Sequence, residues 1–189
     1  MRLRIALTAA LTAATLSACG STDTAATPPP APTTTTRDTA ELLAWVDKVC
    51  GVTVTSIAPL QQQPTLDWNN LPKMKTQFLD YLTKSSQSLA TGVTALGPLK
   101  TGPTKDAERY VDTHTQTLTK MKDSLDKATK DVQGANPKDS LNFGLTLQSV
   151  GNEIQLAAIG AGSPIGILVE KDLADAEKQA PNCKKLQSS

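Results

Sequence analysis

The chain of 189 residues is poor in the side chains that most often carry chemistry: one histidine, three cysteines, and only two each of tryptophan, tyrosine and phenylalanine. One imidazole and three thiols exclude most zinc and iron–sulfur sites built from His and Cys alone. An excess of charge is also missing. Lysine plus arginine is 19 and aspartate plus glutamate is 18, a balance of +1, which gives no electrostatic case for nucleic acid or any other polyanion. No G-x-S-x-G, P-loop, G-x-G-x-x-G, E-x-x-H or C-x-x-C occurs. The usual motif arguments for a serine hydrolase, a nucleotide binder, a dimetal bundle or a thiol redox enzyme are therefore absent. What remains informative is the ordering of apolar, polar and proline-rich segments.

The first such segment is an address. Met1-Arg2-Leu3-Arg4 is a short cationic start, and Ile5–Leu16 follows as an uncharged run of 12 residues. A membrane span needs about 20, so this is the pattern of an export signal. Leu3 separates the two arginines, which leaves no twin-arginine pair and points to general export. The run ends in Leu16-Ser17-Ala18-Cys19, which resembles the lipobox of bacterial lipoproteins. The resemblance implies cleavage before Cys19 and conversion of its thiol to a diacylglyceryl thioether, with fatty acyl chains of the palmitate class. A plain secretory cleavage near Ala18 is the alternative. A single acyl chain holds a protein only marginally, whereas two or three hold it for very long times.

Loss of residues 1–18 removes Arg2 and Arg4 and leaves 17 basic against 18 acidic residues. No polybasic stretch adjoins Cys19, so electrostatic attraction to lipid adds little. Residues 19–37 read as a tether. Gly20–Arg37, GSTDTAATPPPAPTTTTR, holds no large apolar residue and cannot bury enough surface to fold. Its proline run favours polyproline II, and as a coil the segment reaches roughly 23 Å. Thr33–Thr36 beside proline is also a composition that accepts O-glycans.

Residues 38–189 read as one all-α domain. Asp38-Thr39-Ala40-Glu41 has capping-box form, and Leu42, Leu43, Val46, Val49, Cys50 and Ile57 recur at helical spacing. This predicts a helix over 39–58, although Val52-Thr53-Val54 also suits a strand, with Pro59 and Pro64 bracketing a polar loop. Pro72 opens a second helix that Gly97-Pro98 stops. The third has the cleanest pattern: Ala107, Val111, His114, Leu118, Met121, Leu125, Ala128 and Val132 alternate in steps of four and three, a single seam. A fourth starts near Ser140 and runs through Leu141, Leu145, Gln148, Ile154 and Ala158. Gly160-Ala161-Gly162-Ser163-Pro164 breaks it, and Ile165, Leu168, Val169, Leu173 and Ala176 continue as a final helix. Short Gly/Pro turns between long amphipathic helices predict an antiparallel four-helix-type bundle with its last element broken at Gly160–Pro164.

With Cys19 assigned to lipid, Cys50 and Cys183 remain in an exported chain, and that compartment favours a disulfide between them over two free thiols. His114 is the only obvious general base, yet its seam position favours a packing role over catalysis. Asp106, Glu108, Asp112, Asp123, Asp126 and Asp131 lie mostly off the seam and near lysines, a solvated face. No residue from Ile154 to Val169 is charged. This is either a buried helical corner or an apolar surface for a lipid or partner, with Ile154, Ile159, Ile165 and Leu168 as its candidates.

Lipobox, Thr/Pro tether and an Ala/Thr/Leu-rich helical domain, with Trp45 before Cys50 and Ala180-Pro181-Asn182-Cys183 at the end, together resemble the small secreted lipoproteins of actinobacteria. That resemblance implies location and architecture without a reaction. The expected function is a non-enzymatic binding or interaction module, needing no cofactor or metal, on the extracytoplasmic face of the cell membrane. It would be held through Cys19 and act on an envelope protein or lipid. The alternatives are a carrier of an apolar ligand inside the bundle, with the 154–169 corner as its mouth, and least of all a hydrolase using His114.

Overall fold

The computed structural model of the chain describes residues 36–161 and 170–188, and every element among them is helical. In order these are α1 (Thr36–Gln61), α2 (Leu71–Leu96), a 3₁₀ turn (Gly97–Lys100), α3 (Ala107–Gly134), α4 (Ser140–Ala161), α5 (Lys171–Gln179) and α6 (Pro181–Gln187). Cys19 and the tether through Thr35 lie outside the described residues, as do Ile165 and Leu168, whereas Thr36 and Arg37, expected in the tether, already belong to α1.

The helices start and stop for local reasons. Asn70 caps α2, its Oδ1 accepting from the Lys73 amide at 3.1 Å, and Pro72 occupies the first turn, where a missing N–H costs nothing. Thr104 Oγ1 accepts from the Asp106 amide at 3.1 Å just before α3. At the far end of α3, Lys75 reaches over from α2 and donates to the carbonyls of Gln133 and Ala135, each at 2.7 Å. A cation there satisfies orphan carbonyls and opposes the negative end of the helix dipole. α1 does not stop before Pro59 as its ring predicts; it continues to Gln61, and Val52-Thr53-Val54 is helical within it. Pro59 lies in the last turn, so it removes one bond from a helix about to end. Leu60, just beyond, packs against the core, and its carbonyl accepts from the Tyr81 hydroxyl at 3.2 Å.

α1, α2, α3 and α4 are successive antiparallel neighbours, and α5 and α6 return to pack on α1. All eight seam residues of α3 are buried. Against them stand Leu82, Leu89 and Leu96 of α2 and Val46, Val49 and Ile57 of α1, in one continuous apolar cluster. α1 and α2 approach closely at Gly92, where an added Cβ would collide with Ser56 and with the Leu118 side chain. Trp45 closes the other end of the same interface, its indole N–H donating to the Leu99 carbonyl at 3.0 Å while its ring covers Gly102.

The disulfide is present: Cys50 on α1 and Cys183 on α6 are joined at 2.01 Å, both buried. α6 itself was not legible as a helix. It spans seven residues, below the length at which periodicity speaks. It is held in place by the disulfide and by Asp47, whose carboxylate accepts from the Asn182 amide at 2.7 Å and from its Nδ2 at 2.9 Å. Asp38–Gln61 is long and apolar enough to cross a membrane by composition. In the fold its apolar side is spent on α2, α5 and α6.

Candidate functional site

His114, the one candidate base, is 2 % exposed. Its ring meets the edge of Tyr110 at 4.9 Å between centroids, and its Nδ1 lies 3.0 Å from Thr53 Oγ1. Thr53 gives its single proton to the Val49 carbonyl at 3.2 Å. The hydroxyl must then accept from the imidazole, which assigns the proton to Nδ1 and leaves Nε2 as a bare acceptor. Nε2 is buried with no hydrogen-bond partner. Burial holds this imidazole at a pKa of about 4, so it is neutral at pH 7. The same burial raises the Tyr110 hydroxyl far above its ordinary value, with the Glu177 carboxylate adding to the effect. Tyr110 also lies 3.6 Å from Cys50 Sγ. This cluster is a polar island inside the core. A base sealed in this way cannot meet a substrate at the surface. Among the described residues no group of three His, Cys, Asp or Glu side chains could hold a metal ion.

The surface feature of greatest chemical contrast is on α4. Leu141 and Leu145, two of the apolar residues that mark the fourth helix in the sequence, do not enter the core. They are 72 % and 55 % exposed, and Leu156 is 70 % exposed. Phe143 and Val150 take the buried positions, with Leu147 and Ile154 half-buried against the same core. At 3.6 residues per turn Leu141, Leu145 and Leu156 share an arc of about 60°, and the buried set shares another arc about 180° away. α4 therefore carries two opposite apolar stripes. Only the one holding Phe143 meets α3, because the larger aromatic removes more apolar surface from water. Glu153 is the one charged residue of α4, and it pairs sideways with Lys127 of α3 at 2.7 Å. Gln148 and Asn152 complete the outer face, so the whole stripe is exposed and uncharged.

Of the surface residues expected from the sequence, Ile154 faces the core side, and α4 turns Leu156 outward in its place. Ile159 falls within α4, but its side chain is outside the described set, as are Ile165 and Leu168. The 154–169 corner as the mouth of an internal carrier lies mostly outside the described residues. The signal that could have revealed the outer face was present. Leu141 and Leu145 stand four apart in a helix with a second, better apolar set two residues out of phase. Compared with family models, curated proteins and solved structures, the chain finds no match.

Proposed function

We propose that the chain is an extracytoplasmic lipoprotein, held to the cell membrane by an acylated Cys19, whose helical domain is a non-enzymatic binding module that presents the outer face of α4 to an envelope protein. The observation that carries this reading is the exposed, uncharged stripe of Leu141, Leu145 and Leu156 on a helix that packs on α3 by its other side. Interface centres are depleted in charge and enriched in large apolar groups. Three exposed leucines on one rigid helix face are a costly surface for an unpartnered domain. The burial of the single imidazole supports the non-enzymatic half of the reading.

A photoreactive side chain at Gln148, in the middle of the stripe, tests the surface in cells. The expected result is a discrete adduct that disappears with Leu145→Glu. A yield no greater than that from the same group at Lys120, on exposed α3 surface, argues against it. The anchor is tested separately by mass spectrometry of the membrane fraction. Acyl mass on Cys19 and release of a Cys19→Ala chain are expected; an unacylated N-terminus would sink that half alone.

A further inference from the structure

A second feature lies across the molecule from α4. An open groove of about 530 Å³ runs between α1 and α2 and is bordered by α6. The volume is that of an ordinary small-molecule site. Along α1 it extends from Lys48 to Ser56, about 12 Å at 1.5 Å per residue. Its floor exists because small side chains keep the two helices close: Gly51, Gly92 and Ala95 lie along it. At Gly92 even one added methyl group would collide with Ser56.

The chemistry of the groove is asymmetric. Three of the four hydroxyls along its walls, Ser88 being the fourth, are turned back onto their own helices: Thr55 donates to the Gly51 carbonyl at 2.9 Å, Ser56 to Val52 at 2.7 Å and Thr91 to Gln87 at 3.0 Å. Those protons are spent, so with Val52 and Ala95 the walls offer a ligand mainly C–H surface. The charged groups in the lining are both cations, Lys48 and Lys185, standing with Asn182 at one end. Lys185 donates to Asn182 Oδ1 at 3.1 Å, which holds its ammonium at the rim. Asp47, next to Lys48 in the chain, is engaged by the amide and side chain of Asn182. Among the described residues no carboxylate lines the groove itself.

We propose that this groove binds a medium-chain carboxylate, its acyl tail lying between α1 and α2 and its carboxylate meeting Lys48 and Lys185. The cationic end favours an anionic occupant, and a diacylglyceryl thioether carries no anion. The proposal therefore stands independently of the lipoprotein reading and of the α4 surface.

The test uses the full chain carrying Cys19→Ser, so that no acyl group of its own is present, titrated calorimetrically with decanoate and with decyltrimethylammonium. Saturable one-to-one binding of decanoate is expected, with the cation of equal tail length at least about tenfold weaker. Lys48→Gln with Lys185→Gln should weaken decanoate about five- to tenfold, the effect of two partly solvated ion pairs. Ala95→Trp, at an exposed position of α2, should fill the groove and abolish binding, and Thr91→Trp serves as a second filler should the first lower the melting temperature. Absence of saturable heat, equal binding of the two head groups, or decanoate binding that survives a folded filler variant would each overturn the proposal. The first of these outcomes would also be the result if a polypeptide were the natural occupant.

Discussion

At pH 7 His114 is neutral, gives its Nδ1 proton to Thr53 and leaves Nε2 unsatisfied in the core. Its pKa in the fold is about 4, against an ordinary value of 6.5, so the unfolded chain takes up the proton first as acid is added. The contribution of the neutral imidazole is complete above pH 6.5 and is lost as pH falls toward 4. Between pH 7 and pH 5 this amounts to about 2 kcal/mol. Glu177, whose carboxyl is raised by burial, acts in the opposite direction on acidification, so the comparison that isolates the imidazole is with His114→Leu. That variant keeps the Thr53 donation to Val49. Urea unfolding should show its stability holding or rising over the interval where the parent falls relative to it; an equal fall in both would refute the assignment. Gly92 is a second residue whose effect is out of proportion to its size. Gly92→Ala places a Cβ against Ser56 and Leu118 and should cost about 1–3 kcal/mol in the same measurement, the usual range for overpacking, although alanine is the better helix former.

Among the elements, α3 and α4 show what periodicity can and cannot reveal. The α3 seam has one apolar face with charged residues elsewhere, and every seam residue is buried. α4 has two apolar faces and one charge, and a sequence pattern has no means of choosing which face a neighbour will cover. The spacing that marks the helix picks out Leu141 and Leu145, and the neighbour covers Phe143. The two faces should answer oppositely to substitution. Phe143→Ala should cost about 3–5 kcal/mol, whereas Leu145→Ser should stay within about 0.5 kcal/mol; denaturant midpoints measure both. A large loss from Leu145→Ser would mean that the outer stripe is already covered within the folded chain. The ends of α1 and α6 were hidden for a different cause. Their positions depend on partners remote in sequence: the Tyr81 hydroxyl on the Leu60 carbonyl, and Asp47 on Asn182.

For the whole molecule, the decisive bond is Cys50–Cys183, which spans a sequence separation of 133 residues. The pairing was legible by elimination once Cys19 was given to lipid. The tertiary arrangement that brings α6 to the middle of α1 was not. In the chain-entropy account a crosslink of this span contributes about 5 kcal/mol, and natural disulfides of small exported domains contribute about 2–5. The double variant Cys50→Ala, Cys183→Ala should therefore unfold at markedly lower denaturant. An unchanged midpoint would show that Asp47 and the apolar contacts of Leu186 hold α6 without it.

The same bond decides how the protein carries a pull. Were Cys19 fixed in a membrane and α4 held by a partner, as proposed, tension would enter at α1 and reach Cys50, where the covalent path divides. One branch follows the chain forward through α2 and α3 to Leu141, 91 residues; the other crosses to Cys183 and runs back to Ala161, 22 residues. Fully extended, the short branch spans about 75 Å and the long one about 310 Å. The short branch becomes taut first, so the covalent chain through α2 and α3 cannot be drawn out to its full length while the disulfide holds. The disulfide therefore caps how far the two ends can separate, and a reduced chain loses that cap.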